Sequence, residues 1–143
     1  MKQITQIVWS EDGQRLYSCG EDGQLCEWDL LNKQIRSQVK PDGGLTALVA
    51  LPNGHLIVCT EEGGIVDVAA GGQVVARIQN ADFFATCLQF LPRDQVLLVG
   101  TKTGAVRAYN YPLSSRSEFQ EHFTQLGSIS HVIISNITVS CKY

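Results

Sequence analysis

This chain repeats itself about every 40 residues, and few folds tolerate that. Three segments, Ile4–Ser10, Leu45–Leu51 and Ala85–Leu91, align on Thr5, Thr46 and Thr86, and a fourth copy opens at Ile129–Ser135. Each of the first three is followed by a turn (Glu11-Asp12-Gly13, Pro52-Asn53-Gly54, Pro92-Arg93-Asp94) and a second apolar run (Leu16–Cys19, Leu56–Cys59, Val96–Val99). A second turn comes next, at Glu21-Asp22-Gly23, Glu61-Glu62-Gly63 and Lys102-Thr103-Gly104. Glycine is apt there because tight hairpins demand a positive φ that side chains resist. A third strand then alternates through Leu25–Trp28, Ile65–Val68 and Ala105–Tyr109. A weaker fourth run follows in the first two copies, near Gln34–Val39 and Gln73–Ile78. In the third copy Pro112 interrupts that region, so a fourth strand there has to start later.

Four short antiparallel strands in each repeat of this length form the unit of a β-propeller blade. The expected fold is therefore all-β, with repeats over about 4–40, 45–79 and 85–126 and a partial one over 129–143. A single β-sandwich would have to reproduce strand order, turn position and turn chemistry three times by accident.

The first repeat carries a specific mark. Gly20-Glu21-Asp22-Gly23 precedes a third strand that closes on Trp28-Asp29. This resembles the WD40 repeat, which makes the expected fold a WD40-type β-propeller fragment: about three four-stranded blades plus the first strand of a fourth. The resemblance implies a hydrogen-bonded structural network of a third-strand Trp, a second-strand Ser or Thr, a turn Asp and a His ahead of the first strand. Trp28, Ser18 and Asp22 occupy three of those places, and the place of the His falls before Ile4. Val68 replaces the Trp in the second repeat, and Tyr109 lies near it in the third. A Gly-His pair is absent from the loops at 40–44 and 80–84. Apolar packing must carry more of the stability than polar networks do.

Longer stretches narrow the resemblance. Ile7–Asp12, Ser18–Gly23, Glu27–Leu30, Val99–Arg107, Tyr111-Pro112-Leu113 and Glu118-Phe119 are similar to the cilia- and flagella-associated WD-repeat protein 57 family, across most of residues 4–134. That resemblance implies a scaffold in the axoneme that helps place inner dynein arms or neighbouring regulatory complexes. It stops near Ile134. Such rings close with four to eight blades, so two blade faces here should lack neighbours. Those faces are apolar and favour association. The isolated chain should then be marginally stable, or borrow blades from another copy or a longer parent.

Composition bounds the remaining possibilities. The net charge is -3, with no run of Lys or Arg, which argues against nucleic acid as a ligand. No stretch approaches the ~20 continuous apolar residues of a membrane span. The first residues lack a signal peptide's apolar stretch, so the cytoplasm or cytoskeleton is the expected compartment, the cilium or flagellum if the resemblance holds. The five cysteines form no C-x-x-C pair, and their odd number argues against a disulfide framework. Cys19 and Cys59, at equivalent places, read as core. His55, His122 and His131 lack metal-ligand spacing, and no cofactor is expected.

Catalysis finds no footing. There is no Gly-x-Ser-x-Gly elbow and no phosphate loop, because Gly43-Gly44, Gly63-Gly64 and Gly71-Gly72 are turn pairs. Glu61-Glu62 sits in a turn, where solvated charge is the ordinary state, and His55 reads as a plain strand-edge residue. A propeller hydrolase would need acids or histidines on the innermost strands, and 4–10, 45–51 and 85–91 hold none. Protein binding is the expected function, because blade loops gather on one rim. The candidate contacts are Glu21, Asp22, Glu61, Glu62 and Lys102, with Phe83 and Phe84 as aromatic anchors. Phe119 and Phe123, spaced i, i+4 within 114–126, suggest a short helical turn or an irregular outer element. The same features would serve a cytosolic adaptor of a ubiquitin-ligase or trafficking complex.

Overall fold

A computed structural model describes residues 2–41, 43–79, 84–114, 119–123, 131–134 and 139–142. Blade one is an antiparallel sheet of β1 (Ile4–Trp9), β2 (Leu16–Gly20), β3 (Leu25–Asp29) and β4 (Gln34–Val39) in that order. Blade two is built the same way from β5 (Leu45–Ala50), β6 (Leu56–Thr60), β7 (Gly64–Val68) and β8 (Val74–Gln79). Blade three holds β9 (Ala85–Leu91), β10 (Val96–Thr101), β11 (Ala105–Asn110) and β12 (Phe119–Phe123).

Two expectations are corrected. Among the described residues of the segment with Phe119 and Phe123, 119–123 form no helical turn. They are β12, the outer strand of blade three, pairing Tyr109 with Phe119 and Ala105 with Phe123. Pro112 delays that strand without abolishing it, because the chain can rejoin the free edge of β11 once past the residue that lacks an N–H. The fourth copy contributes two strands instead of one, β13 (His131–Ile134) paired with β14 (Val139–Lys142).

The innermost strands lie side by side, β1 against β5, β5 against β9 and β9 against β13, as expected around a propeller axis. Both faces of the middle blade are therefore covered. Alternate residues of β6 face opposite ways, so Leu56 and Val58 join Tyr17, Cys19 and Leu25 in the seam with blade one. Ile57 and Cys59 join Leu97, Val99 and Tyr109 in the seam with blade three. Burial on both sides is why β6 reads as an unbroken apolar run while β4, exposed for most of its length, does not. Polar groups reinforce the first seam: Thr5 Oγ1 donates to the Leu45 carbonyl at 2.8 Å, and the Leu48 N–H donates to Gln6 Oε1 at 2.9 Å.

Candidate functional site

The turns between second and third strands meet the approaches to the innermost strands at one end of the blades. One backbone bond makes the join three times. The N–H of Glu21 donates to the Gln3 carbonyl at 3.0 Å, that of Glu61 to Gly44 at 2.8 Å, and that of Lys102 to Phe84 at 3.0 Å. Each turn closes over a glycine at positive φ: Gly23 at 78°, Gly63 at 84° and Gly104 at 92°.

These bonds gather side chains from three blades around a depression of about 360 Å³. Glu21, Glu61 and Phe84 line it, together with Gln3, Ile4 and the marker threonines Thr5, Thr46 and Thr86. Glu61 lays its carboxylate over Gly44, so closely that a Cβ there would stand 2.4 Å from it. The exposed Lys102 ammonium sits 5.3 Å from the centre of the Phe84 ring, a cation–π contact that turns the ring away from full solvation. Asp22 and Glu62 are exposed beside the depression and do not line it. Phe83 lies outside the described residues. The rim thus offers two carboxylates and one aromatic face, the chemistry for a basic or mixed protein surface.

The polar groups behind the rim are shared differently from blade to blade. Trp28 Nε1 donates to Ser18 Oγ at 2.8 Å. Asp22 does not join them: its carboxylate accepts the Gln24 N–H at 3.1 Å and so caps its own turn. In blades two and three the equivalent amides, Gly64 and Ala105, donate to the hydroxyls of Thr60 and Thr101 at 2.9 and 3.0 Å. A threonine at the end of the second strand takes over the turn cap where the aspartate is missing. Cys19 and Cys59 are buried, and burial raises both thiols above their ordinary range, as expected for core packing. Among the described residues no helix is long and apolar enough to cross a membrane. No group of three or more His, Cys, Asp and Glu side chains there could hold a metal ion.

The family model described as WD40: WD domain, G-beta repeat matches residues 2–29, the first three strands of blade one. A solved chain from a crystal structure of the mitotic checkpoint complex superposes over 98% of this chain and 46% of its own length. Its TM-score is 0.82 at 18% identity. The fold is a WD40-type β-propeller. Propellers of this type in general bind other proteins. Among curated relatives, mouse cilia- and flagella-associated protein 57 is 24% identical over 134 residues, 93% of this chain and 11% of that protein. Mouse U3 small nucleolar RNA-associated protein 18 homolog is 25% identical over 77% of this chain and 22% of its own length. The Polycomb protein mes-6 of Caenorhabditis elegans is 37% identical over 48% of this chain and 14% of its own. The chain thus spans less than a quarter of each of these relatives.

At the opposite end of the blades is a cluster that sequence reasoning passed over. His55 Nδ1 lies 2.8 Å from Asp67 Oδ1, and the Tyr111 hydroxyl donates to Asp67 Oδ2 at 3.1 Å. Asn53 Nδ2 donates to that hydroxyl at 3.1 Å. Asp67 is buried, so these partners offset the desolvation of its charge. His55 is therefore part of a polar clasp between blades two and three. The one available signal was an acid, Asp67, in the middle of an otherwise apolar strand.

Proposed function

We propose that this propeller segment is a non-catalytic scaffold that binds other proteins through the rim of Glu21, Glu61 and Phe84, with Lys102, Asp22 and Glu62 at its margin. Its setting in this reading is the axoneme of cilia and flagella, where it assists assembly of inner dynein arms or neighbouring regulatory complexes. The observation that carries the binding role is the three-blade depression, concave and edged by carboxylates and an aromatic ring. The ciliary setting is supported by the match of 93% of the chain to a cilia- and flagella-associated protein. The non-catalytic role is supported by β1, β5 and β9, which carry neither a carboxylate nor a histidine for general acid or base work.

The test is sedimentation of the purified chain with demembranated axonemes. Saturable binding is expected, with a loss of about tenfold when Glu21 and Glu61 are both replaced by Lys, because reversed charge on a binding rim repels the matching partner. The Arg93→Glu variant, altered in the exposed turn between β9 and β10 at the other end of the blades, should bind axonemes as the parent does. Absence of axoneme binding would favour a cytosolic adaptor of a ubiquitin-ligase or trafficking complex. Binding indifferent to the two glutamates would remove the rim from the account.

A further inference from the structure

The two seams between the described blades follow one plan and are finished differently. At the seam of blades two and three, the Tyr111 phenol fills the space beside the His55–Asp67 pair, its ring edge-on to Phe90 at 5.5 Å. A cavity of only about 90 Å³ remains beside it. The seam of blades one and two has counterparts for each of these residues. Arg15 stands for His55, since each accepts on its carbonyl the N–H that closes the first turn, from Ser10 and from Leu51, both at 2.9 Å. Glu27 stands for Asp67, since each pairs with the second residue of the preceding strand, Tyr17 and Ile57. Ala70 stands for Tyr111, each seven residues beyond the positive-φ glycine of the turn before the third strand, Gly63 and Gly104.

Ala70 carries only a methyl group, and Gly71 and Gly72 follow it. The seat beside the pair that Tyr111 fills in one seam is therefore open in the other, as a groove of about 320 Å³ whose floor includes Leu56 and the ring of Tyr17, whose hydroxyl already accepts one of the Arg15 N–H groups. Its polar wall is charged. Glu27 Oε1 lies 3.6 Å from Arg15 Nη1 and 3.8 Å from Arg36 Nη1. The Glu27 side chain is 10% exposed, while those of Arg15 and Arg36 are 42% and 59% exposed. Within the groove two guanidinium groups carry more N–H donors than the one carboxylate, Glu27, can accept, while the neighbouring Asp12 and Asp29 carboxylates accept from their own turns. Such a wall is complementary to an added carboxylate.

We propose that this groove docks a segment of a partner protein that carries a tyrosine beside an acidic residue. The phenol takes the seat that Tyr111 takes in the next seam, donating to Glu27 and accepting from Arg15, and the acidic side chain pairs with Arg36. The site lies at the end of the blades opposite the rim and is independent of it.

The probe is a synthetic capped peptide of Gly, Ser, Glu, Tyr, Glu, Ser and Gly in that order, titrated against the full chain by calorimetry. Its counterparts carry Phe for the Tyr or Lys for both Glu. Saturable binding of the acidic tyrosine peptide is expected, about fivefold weaker with Phe and at least tenfold weaker with Lys. Ala70→Tyr fills the seat from within and Arg36→Glu reverses the wall, and each should lower affinity at least tenfold. Arg36 is exposed enough that its variant tests the groove even if Ala70→Tyr fails to fold. No saturable binding at millimolar peptide, equal binding of the acidic and lysine peptides, or binding unchanged in both variants would overturn the proposal. So would self-association abolished by Arg36→Glu, which would give the groove to a second copy of this chain.

Discussion

Ile4 and Ile7 of β1 occupy the places that Leu45 and Leu48 hold in β5 and that Ala85 and Leu88 hold in β9. Leu45 and Leu48 are 0% exposed, and Ala85 and Leu88 are 0% and 5%, but Ile4 and Ile7 are 59% and 56% exposed. Trp9 is 56% exposed where its counterpart Phe90 is 7%. The strands are alike in pattern and backbone. The difference is a neighbour: blade one covers Leu45 and Leu48, blade two covers Ala85 and Leu88, and no described blade covers Ile4 and Ile7. Each such side chain gains roughly 1.5–3 kcal/mol when fully buried, so an uncovered face of three is a strong drive to associate. In a repeat architecture the interface between units is as much a part of the core as the units themselves.

The largest expected effect tests that comparison directly. Leu48→Ala should destabilise the chain by about 2–5 kcal/mol, because a cavity opens in a closed seam. Ile7→Ala, at the equivalent place, should cost less than about 0.5 kcal/mol, as surface substitutions do. Urea unfolding of both variants measures the difference, and equal costs would mean that the face of β1 is covered in solution.

Association comes next. Light scattering across a concentration series should show the chain assembling beyond the monomer, and Trp9→Glu should shift the midpoint to about tenfold higher concentration by charging the uncovered face. A monodisperse monomer with one cooperative unfolding transition would instead show that the uncovered face is tolerated.

The smallest effect sharpens the contrast between seams. Tyr111→Phe removes one hydroxyl from the clasp of blades two and three and should cost about 1 kcal/mol. The parent chain should also lose stability at high pH through this group. Burial, opposed by the Asn53 hydrogen bond and reinforced by the Asp67 charge, raises the Tyr111 hydroxyl above its ordinary value. A raised folded value means that the contribution is complete below the unfolded value of about 10 and fades as pH rises through the folded one. The Phe variant should lack that part of the alkaline slope in thermal melts recorded from pH 8 to 11.

Much of this was legible in the chain itself. The repeat, the order of its strands and the glycines of its turns follow from local chemistry, since Gly23, Gly63 and Gly104 answer to a backbone angle and not to a distant neighbour. The pairing of Trp28 with Ser18 was legible too, since both sit on adjacent strands of one hairpin. Asp22 was harder to place. Its nearest N–H donors belong to its own turn, and nothing local says whether a turn or a network will take the carboxylate. The i, i+4 spacing of Phe119 and Phe123 suggests a helical turn or an irregular element, but it fits a strand equally well, and the open edge of β11 decides for the strand. Of the clasp of His55, Asp67 and Tyr111 only the acid in an apolar strand was legible, and its partners were not, because its members come from two blades.

The sequence by itself determined that this chain makes blades: period, alternation and turn residues act over a few neighbouring positions, so they can be read one repeat at a time. Only the tertiary structure decided which blade faces are covered, where a phenol fills a seam and where a groove stays open. Those outcomes depend on what each repeat meets across a seam, some 40 residues away in the chain, and on a single side chain there, Tyr111 in one case and Ala70 in the other.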